Sequence, residues 1–241
     1  MAATQQPDAD DIIRKSRELT LISALSSDIT LTITEKNGSV RKRTISMTSK
    51  SFPDGTEKRL IRFIEPADVK GTSLLIVDNQ DIADEMWIYL PALKRTRRLV
   101  SSEKGKSFMS SEFSNSDMSS PPLSDFRNMY LDQPEISVLW VIESIPVDED
   151  IADEYGYSKK VSFIDKETLL VKKIEFYNFD NQLFKIMEID GAVPVSNGKF
   201  VIKEMTAKNL SNGRSSEIVM NNITQDTSVD DDFFSLRNLQ N

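Results

Sequence analysis

Four groups of residues in this 241-residue chain have types and spacings that could do chemistry. Ser101-Ser102-Glu103-Lys104 sets a serine three residues ahead of a lysine, the S-x-x-K arrangement of serine acyl-transferases. The same pattern recurs at Ser39-Val40-Arg41-Lys42, while the companion S-D-N and K-T-G motifs are missing and Lys70-Gly71-Thr72 has the wrong order. Chance explains both matches. The acidic group Asp148-Glu149-Asp150 with Asp153 and Glu154 offers oxygen ligands for calcium, but lacks the glycine and closing glutamate of an EF-hand. A solvated loop is the simpler reading, and no metal site is expected. Any two carboxylates could meet in space as a glycosidase pair, yet nothing along the chain singles a pair out.

The remaining groups are basic. Residues 41–62 hold seven lysines and arginines against two acids, and residues 94–106 hold six against one. Either these tracts are the wet faces of adjacent strands, or they dock to anionic headgroups or an acidic partner. Composition then removes most remaining chemistry. There is no histidine, so no Ser-His-Asp triad, imidazole base or His-ligated zinc. There is no cysteine, so no thiol nucleophile, disulfide or thiolate metal centre. The net charge of −8 argues against a nucleic-acid partner. No apolar run is long enough to span a bilayer as a helix. The opening MAATQQP has neither the charged start nor the apolar stretch of a signal peptide.

The elements that must carry these residues are mostly strands. Pro7 followed by Asp8, Asp10 and Asp11 starts a helix over about 8–20, with carboxylates at the positive end of its dipole. The period then changes to two. Ile29, Leu31 and Ile33 alternate with threonines, Asn37-Gly38 turns the chain, and 40–48 returns with Ile45 and Met47 on one face. Further strands fit 58–64, 72–77, 85–90 and 94–100, then 138–145, 157–164, 169–177, 183–189, 199–208 and 215–224. Asp230-Asp231-Asp232 caps a short helical turn. Residues 101–125 stand apart: serine-rich with Pro121-Pro122, they also carry Phe108, Met109, Phe113, Met118 and Leu123, which a plain linker does not need.

The expected fold is therefore mainly β, one domain over 1–241. A curved antiparallel sheet of about 10–11 strands forms an incomplete, half-open barrel, with short helical pieces plugging its concave face.

A run of motifs carries a family resemblance. Val69-Lys70-Gly71-Thr72-Ser73-Leu74-Leu75, then Met86-Trp87-Ile88-Tyr89-Leu90-Pro91-Ala92-Leu93-Lys94-Arg95-Thr96-Arg97-Arg98, then Lys106 to Phe113 resemble the bacterial outer-membrane lipoprotein-sorting, LolA-like family. Arg59-Leu60-Ile61-Arg62-Phe63 and Ile189-Asp190-Gly191 with Pro194 fit as well, and the similarity covers about 8–238. The chain departs at Ser110-Ser111-Glu112-Phe113, where the family usually has Gly-Ser-Asp-Phe, and at Asn115, where an aromatic residue is common. The family's lid-closing arginine matches no motif here and is not carried over.

The resemblance implies a periplasmic, non-enzymatic carrier of lipoprotein acyl chains or lipid, its signal peptide removed and no cofactor needed. An inner-membrane transporter would load it, an outer-membrane acceptor would unload it, and contact with a membrane would be peripheral. Leu31, Ile33, Ile45, Met47, Trp87, Tyr89 and Trp140 are the candidate cavity residues. Phe108, Met109, Phe113 and Met118 are the candidate gate. Arg95, Arg97 and Arg98 are candidates for headgroup or partner contact. Burying a dozen methylenes would contribute on the order of 10 kcal/mol before ordering costs. The rival readings are an envelope-stress sensor of lipoproteins, an accessory lipid-binding subunit of an inner-membrane exporter, and a hydrolase built on a carboxylate pair.

Overall fold

The computed structural model describes residues 6–79, 82–131, 138–226 and 228–240; most of the MAATQQP start lies outside them. The chain opens with helix α1 (Ala9–Glu18), where the Asp8 side chain accepts from the Asp10 backbone N–H and the first turn is acidic, as the dipole favours. Six strands follow: β1 (Ala24–Thr34), β2 (Val40–Ser51), β3 (Glu57–Glu65), β4 (Ser73–Asp78), β5 (Glu85–Leu90) and β6 (Arg95–Arg98). After a long connection come β7 (Phe126–Tyr130) and β8 (Leu139–Pro146), helix α2 (Glu149–Tyr155), then β9 (Lys159–Asp165), β10 (Val171–Tyr177), β11 (Leu183–Pro194), β12 (Phe200–Asn209) and β13 (Ser215–Thr224).

All thirteen strands form one antiparallel sheet in the order β6-β5-β4-β3-β2-β1-β13-β12-β11-β10-β9-β8-β7. It is curved and not closed into a barrel. The order explains the connection. The chain enters at the sheet's centre on β1, runs to the β6 edge, and returns from the opposite β7 edge to pair β13 with β1, as in Leu31 opposite Ile218. Residues 99–125 must therefore pass from one edge to the other, and on a curved sheet the short way is across the concave face. Residues 101–125, which stand apart in composition, are the ones that topology sends there as a plug.

Alternation decides what they meet. Ile29, Leu31 and Ile33 of β1, Ile45 and Met47 of β2, Ile61 and Phe63 of β3 and Leu74 and Ile76 of β4 share one apolar cluster with Phe108 and Phe113. That is the inner face. The outer face of β3–β5 is covered too: Leu60, Leu75 and Trp87 pack with Phe234 and Leu239 of the C-terminal segment. Asp230 caps the expected turn there, its carboxylate accepting from Asp232.

Three differences from the sequence reading have physical causes. The strand β7 was not expected; its five residues lack clear alternation and earn their place by pairing with β8, Asn128 opposite Ser144. Added to the twelve spans that periodicity marks, it makes thirteen strands, above the expected total of about ten or eleven. The acidic stretch expected as a solvated loop is helix α2. Asp148 caps it by accepting from Ile151, acids fill its first turn, Gly156 closes it at φ 77°, and Tyr155 anchors it in the core.

Candidate functional site

A cavity of about 890 Å³ lies on the inner face, bounded by α1, the middle of β1–β3, residues 117–124 and strands β12 and β13. This is toward the upper end of the 300–1,000 Å³ range typical of ligand pockets. Its wall is mostly aliphatic and sulfur-bearing, including Leu25, Ile29, Ile45, Met47, Met205 and Met220. Methionine suits a wall that must fit flexible chains of varying shape. The cavity reaches the surface beside Arg14 and Glu18, both about half exposed.

The expected residues divide. Ile45, Met47, Phe108 and Met118 line the cavity. Leu31, Ile33 and Phe113 are fully buried in the same cluster without bordering the space, and Met109 packs at its rim. Trp87 and Tyr89 do not belong: they point to the outer face, packed with the C-terminal segment. The register shows why, since Trp87 pairs with Leu75 and its neighbours Met86 and Ile88 take the inner face. Trp140 is also elsewhere, in a separate cluster beneath α1 with Ile12, Ile142 and Ile164.

In the first basic tract Arg43 and Arg59 turn inward, while in the second Lys94, Arg95, Arg97, Arg98 and Lys106 stay exposed. Three arginines donate to backbone carbonyls of the plug: Arg43 to Met109, Arg59 to Met118, and Arg17 to Pro121 at 2.5 Å. Arg214 adds a fourth to Ser110 at 2.8 Å. Sequence reasoning missed these roles, because a carbonyl acceptor leaves no mark on residue type. Others of the first tract hold the C-terminus, Arg62 on the Asn238 carbonyl and Lys50 on Asp231. On the β6 edge Arg97 grips Glu103 with both nitrogens, at 2.7 and 2.9 Å, and Arg98 pairs with Glu85. Arg95 is exposed and has no ion pair among the described residues. Lys104 of the S-x-x-K pattern is paired with Glu154.

Two parts of the plug behave differently. Residues 107–116 are anchored: Phe108 packs on Phe63 at 6.1 Å, its N–H donates to the Phe113 carbonyl, and the Asn115 side chain donates to the Glu103 carbonyl. Gly105 sits so close to α2 that a Cβ there would lie 2.8 Å from the Tyr155 carbonyl oxygen. Residues 117–123 are half-buried and border the cavity. The departed loop motif has a backbone meaning as well. Ser110 sits at φ 63°, the left-handed region where a side chain costs about 1–2 kcal/mol. Ser110→Gly is therefore expected to stabilise the fold by about 1 kcal/mol, read as a raised denaturant midpoint at unchanged slope.

The cavity wall includes a charge group. Arg59 donates to Asp78 at 2.6 Å and to Glu57 at 3.1 Å. Burial works against its charge, but Asp78 and Glu57 more than offset this and hold the guanidinium above its usual range. Asp84 is pushed up to about 7, first by burial and then by the Asp78 charge. The crevice at Asp84 is only about 20 Å³, room for one water and not for a substrate. Asp78 and Glu57 border the cavity, but both are engaged by Arg59, and Asp84 faces only the small crevice. Among the described residues no group of three or more acids could hold a metal.

Asp84 carries a pH signature. Its folded state keeps a proton that the unfolded chain releases near pH 4, so its contribution to stability is full below that and is lost as pH rises through about 7. Asp84→Asn retains an acceptor for the Asn79 N–H and carries no titratable charge. The variant should gain stability over wild type between pH 5 and 8; parallel denaturation curves at the two pH values would contradict this.

Comparison with known proteins matches this geometry. A family model described only as an uncharacterized protein covers residues 55–241. A domain assigned as an outer membrane lipoprotein-sorting protein, from Vibrio parahaemolyticus, is 25% identical with a TM-score of 0.87, over 97% of this chain and 98% of its own. The chain belongs to this outer-membrane lipoprotein-sorting, LolA-like family. A DUF1329 family protein from Desulfovibrio piger is 26% identical with a TM-score of 0.86, over 96% of this chain and 98% of its own. A LolA superfamily protein from Nitrosomonas europaea shares the fold at 16% identity and a TM-score of 0.73, over 97% and 100%. No curated protein sequence matches this lipoprotein-sorting family member.

Proposed function

We propose that this chain is a non-enzymatic periplasmic carrier that takes acyl chains of lipoproteins or lipids into the inner-face cavity and delivers them toward the outer membrane. The observation that carries the reading is the cavity itself: about 890 Å³ of mainly apolar wall beneath a half-buried segment that arginines hold by its carbonyls. Such a closure can open by exchanging hydrogen bonds with water while the Phe108–Phe113 anchor stays packed. The lipoprotein-sorting assignment of the Vibrio relative supports the same class of cargo. Ile45, Met47, Phe108 and Met118 then contact the cargo, and residues 117–123 act as the gate. An inner-membrane transporter would load the carrier and an outer-membrane acceptor would empty it. The β6 arginines, Arg95 above all, would meet headgroups or that partner.

Native mass spectrometry of protein purified from a Gram-negative periplasm tests this. Wild type is expected to carry lipid or acylated peptide masses, Met47→Lys to lose them, and the exposed-site control Val40→Lys to keep them. Wild type that emerges without lipid and takes up no added long-chain acyl probe would overturn the reading.

A further inference from the structure

The sheet has two edges, and they differ. Helix α1 packs against β7, with Asn128 donating to Asp10 at 2.7 Å and Tyr130 to the Pro7 carbonyl at 2.8 Å. Beyond β6 no strand lies among the described residues; the C-terminal segment reaches it through Gln240, on the Thr96 hydroxyl at 3.5 Å. The pairing of β6 with β5 runs from Arg95 opposite Leu90 to Arg98 opposite Trp87 without a bulge, and the strand holds no proline.

Register fixes which backbone groups are spare. The Leu99 N–H donates to the Met86 carbonyl at 2.8 Å, so in an antiparallel ladder Arg95 and Arg97 also turn their amides toward β5. Thr96 and Arg98 then turn theirs away from the sheet. The Arg98 carbonyl takes a long contact from the Arg97 side chain at 3.4 Å, while both N–H groups and the Thr96 carbonyl are unpaired among the described residues.

Charge selects what can fill this edge. Arg97 and Arg98 pair with Glu103 and Glu85, whereas exposed Lys94 and Arg95 have no ion pair among the described residues. A chain of net charge −8 therefore presents a cationic edge. A second copy would bring arginine against arginine, so like charge guards the edge from self-pairing and leaves it open to an acidic strand. A membrane fits less well. Opposite residues share a face, which puts Arg97 with Ile88 on the inner side and Arg98 with Trp87 on the outer side. A flat surface meets one set at a time, while a strand added in the plane of the sheet runs between them. A lipid phosphate also has no donor for the Thr96 carbonyl.

We infer that the β6 edge is a strand-addition site, which pairs through its main chain with an extended acidic segment of a partner protein. The site rests on the carrier reading and deepens it: what docks at this edge is a protein segment and not headgroups.

The test titrates the full chain, by fluorescence anisotropy, with a labelled, end-blocked heptapeptide that alternates glutamate and valine. It should bind about tenfold or more tighter than its glutamine counterpart. Of two copies N-methylated on alternate residues, one should lose about tenfold and the other keep its affinity, because one set of amides faces β6. Bound peptide should slow exchange at the Thr96 and Arg98 amides. Thr96→Pro deletes an outward N–H, spares the β5 ladder and should weaken the glutamate peptide about tenfold. Arg95→Glu should also weaken it and leave the glutamine peptide within about twofold. Equal binding of the two N-methylated copies, or phosphatidylglycerol vesicles binding wild type where the peptide does not, overturns the strand-addition site. Peptide binding is read without cargo, so the two readings fail separately. Protein that binds the peptide but neither carries lipid nor takes up an acyl probe sinks the carrier reading alone. Lipid-bearing protein that ignores the peptide sinks the edge site alone.

Discussion

Replacing Arg59 with methionine is expected to destabilise the protein by about 3–5 kcal/mol, the usual cost of removing one member of a buried ion group. The guanidinium is enclosed and serves two acids, Asp78 at 2.6 Å and Glu57 at 3.1 Å. Without it both carboxylates would face each other and Asp84 in a site where burial already raises Asp78. Part of the loss is this stranded charge and part is the lost grip on the plug, through the Met118 carbonyl and Ser120. The two parts separate. Combining Arg59→Met with Asp78→Asn and Glu57→Gln removes the charge and should restore much of the denaturant midpoint. Amide exchange across 117–123 should stay faster than in wild type in both variants, because neither holds the plug. A single variant within about 1 kcal/mol of wild type, or exchange that recovers with stability, would contradict the clamp.

The same residue marks what could be read from the chain and what could not. Twelve of the thirteen strands, the Asn37-Gly38 turn and the odd composition of 101–125 are local signals, and the structure has strands where periodicity marks them, with β1 and β11 longer than expected and β7 added. Facing is less local. In β5 the run Met86 to Leu90 is apolar on both sides, so alternation cannot say which set turns inward; the pairing of Trp87 with Leu75 decides it, and the C-terminal segment makes the outer side dry. Trp140 fails for the same reason, since β8 buries both faces and α1 covers one of them. Roles that depend on a backbone carbonyl are less visible still. Arg43 and Arg59 read as members of a basic tract and Arg17 as one residue of the first helix, and only the crossing of 99–125 from edge to edge brings its carbonyls to them.

Phe108→Ala and Phe113→Ala should each cost about 3–5 kcal/mol without ligand, as expected for truncating buried rings. Their response to ligand should differ. Phe108 borders the cavity, so its removal adds empty apolar volume to a space that an acyl chain can enter. Phe113 is enclosed in the same cluster but away from that space, and its removal leaves a void no ligand reaches. A ligand that binds only the folded state contributes about 2.7 kcal/mol at a hundred times its Kd. Each further methylene seated in the enlarged Phe108→Ala cavity would contribute about 0.8 kcal/mol more. With a long-chain lipid at saturation, the melting temperature of Phe108→Ala should therefore move back toward wild type. The deficit of Phe113→Ala should persist. Equal recovery of the two variants would mean that the cargo does not lie against Phe108, and that residues 107–116 are core and not part of the binding wall.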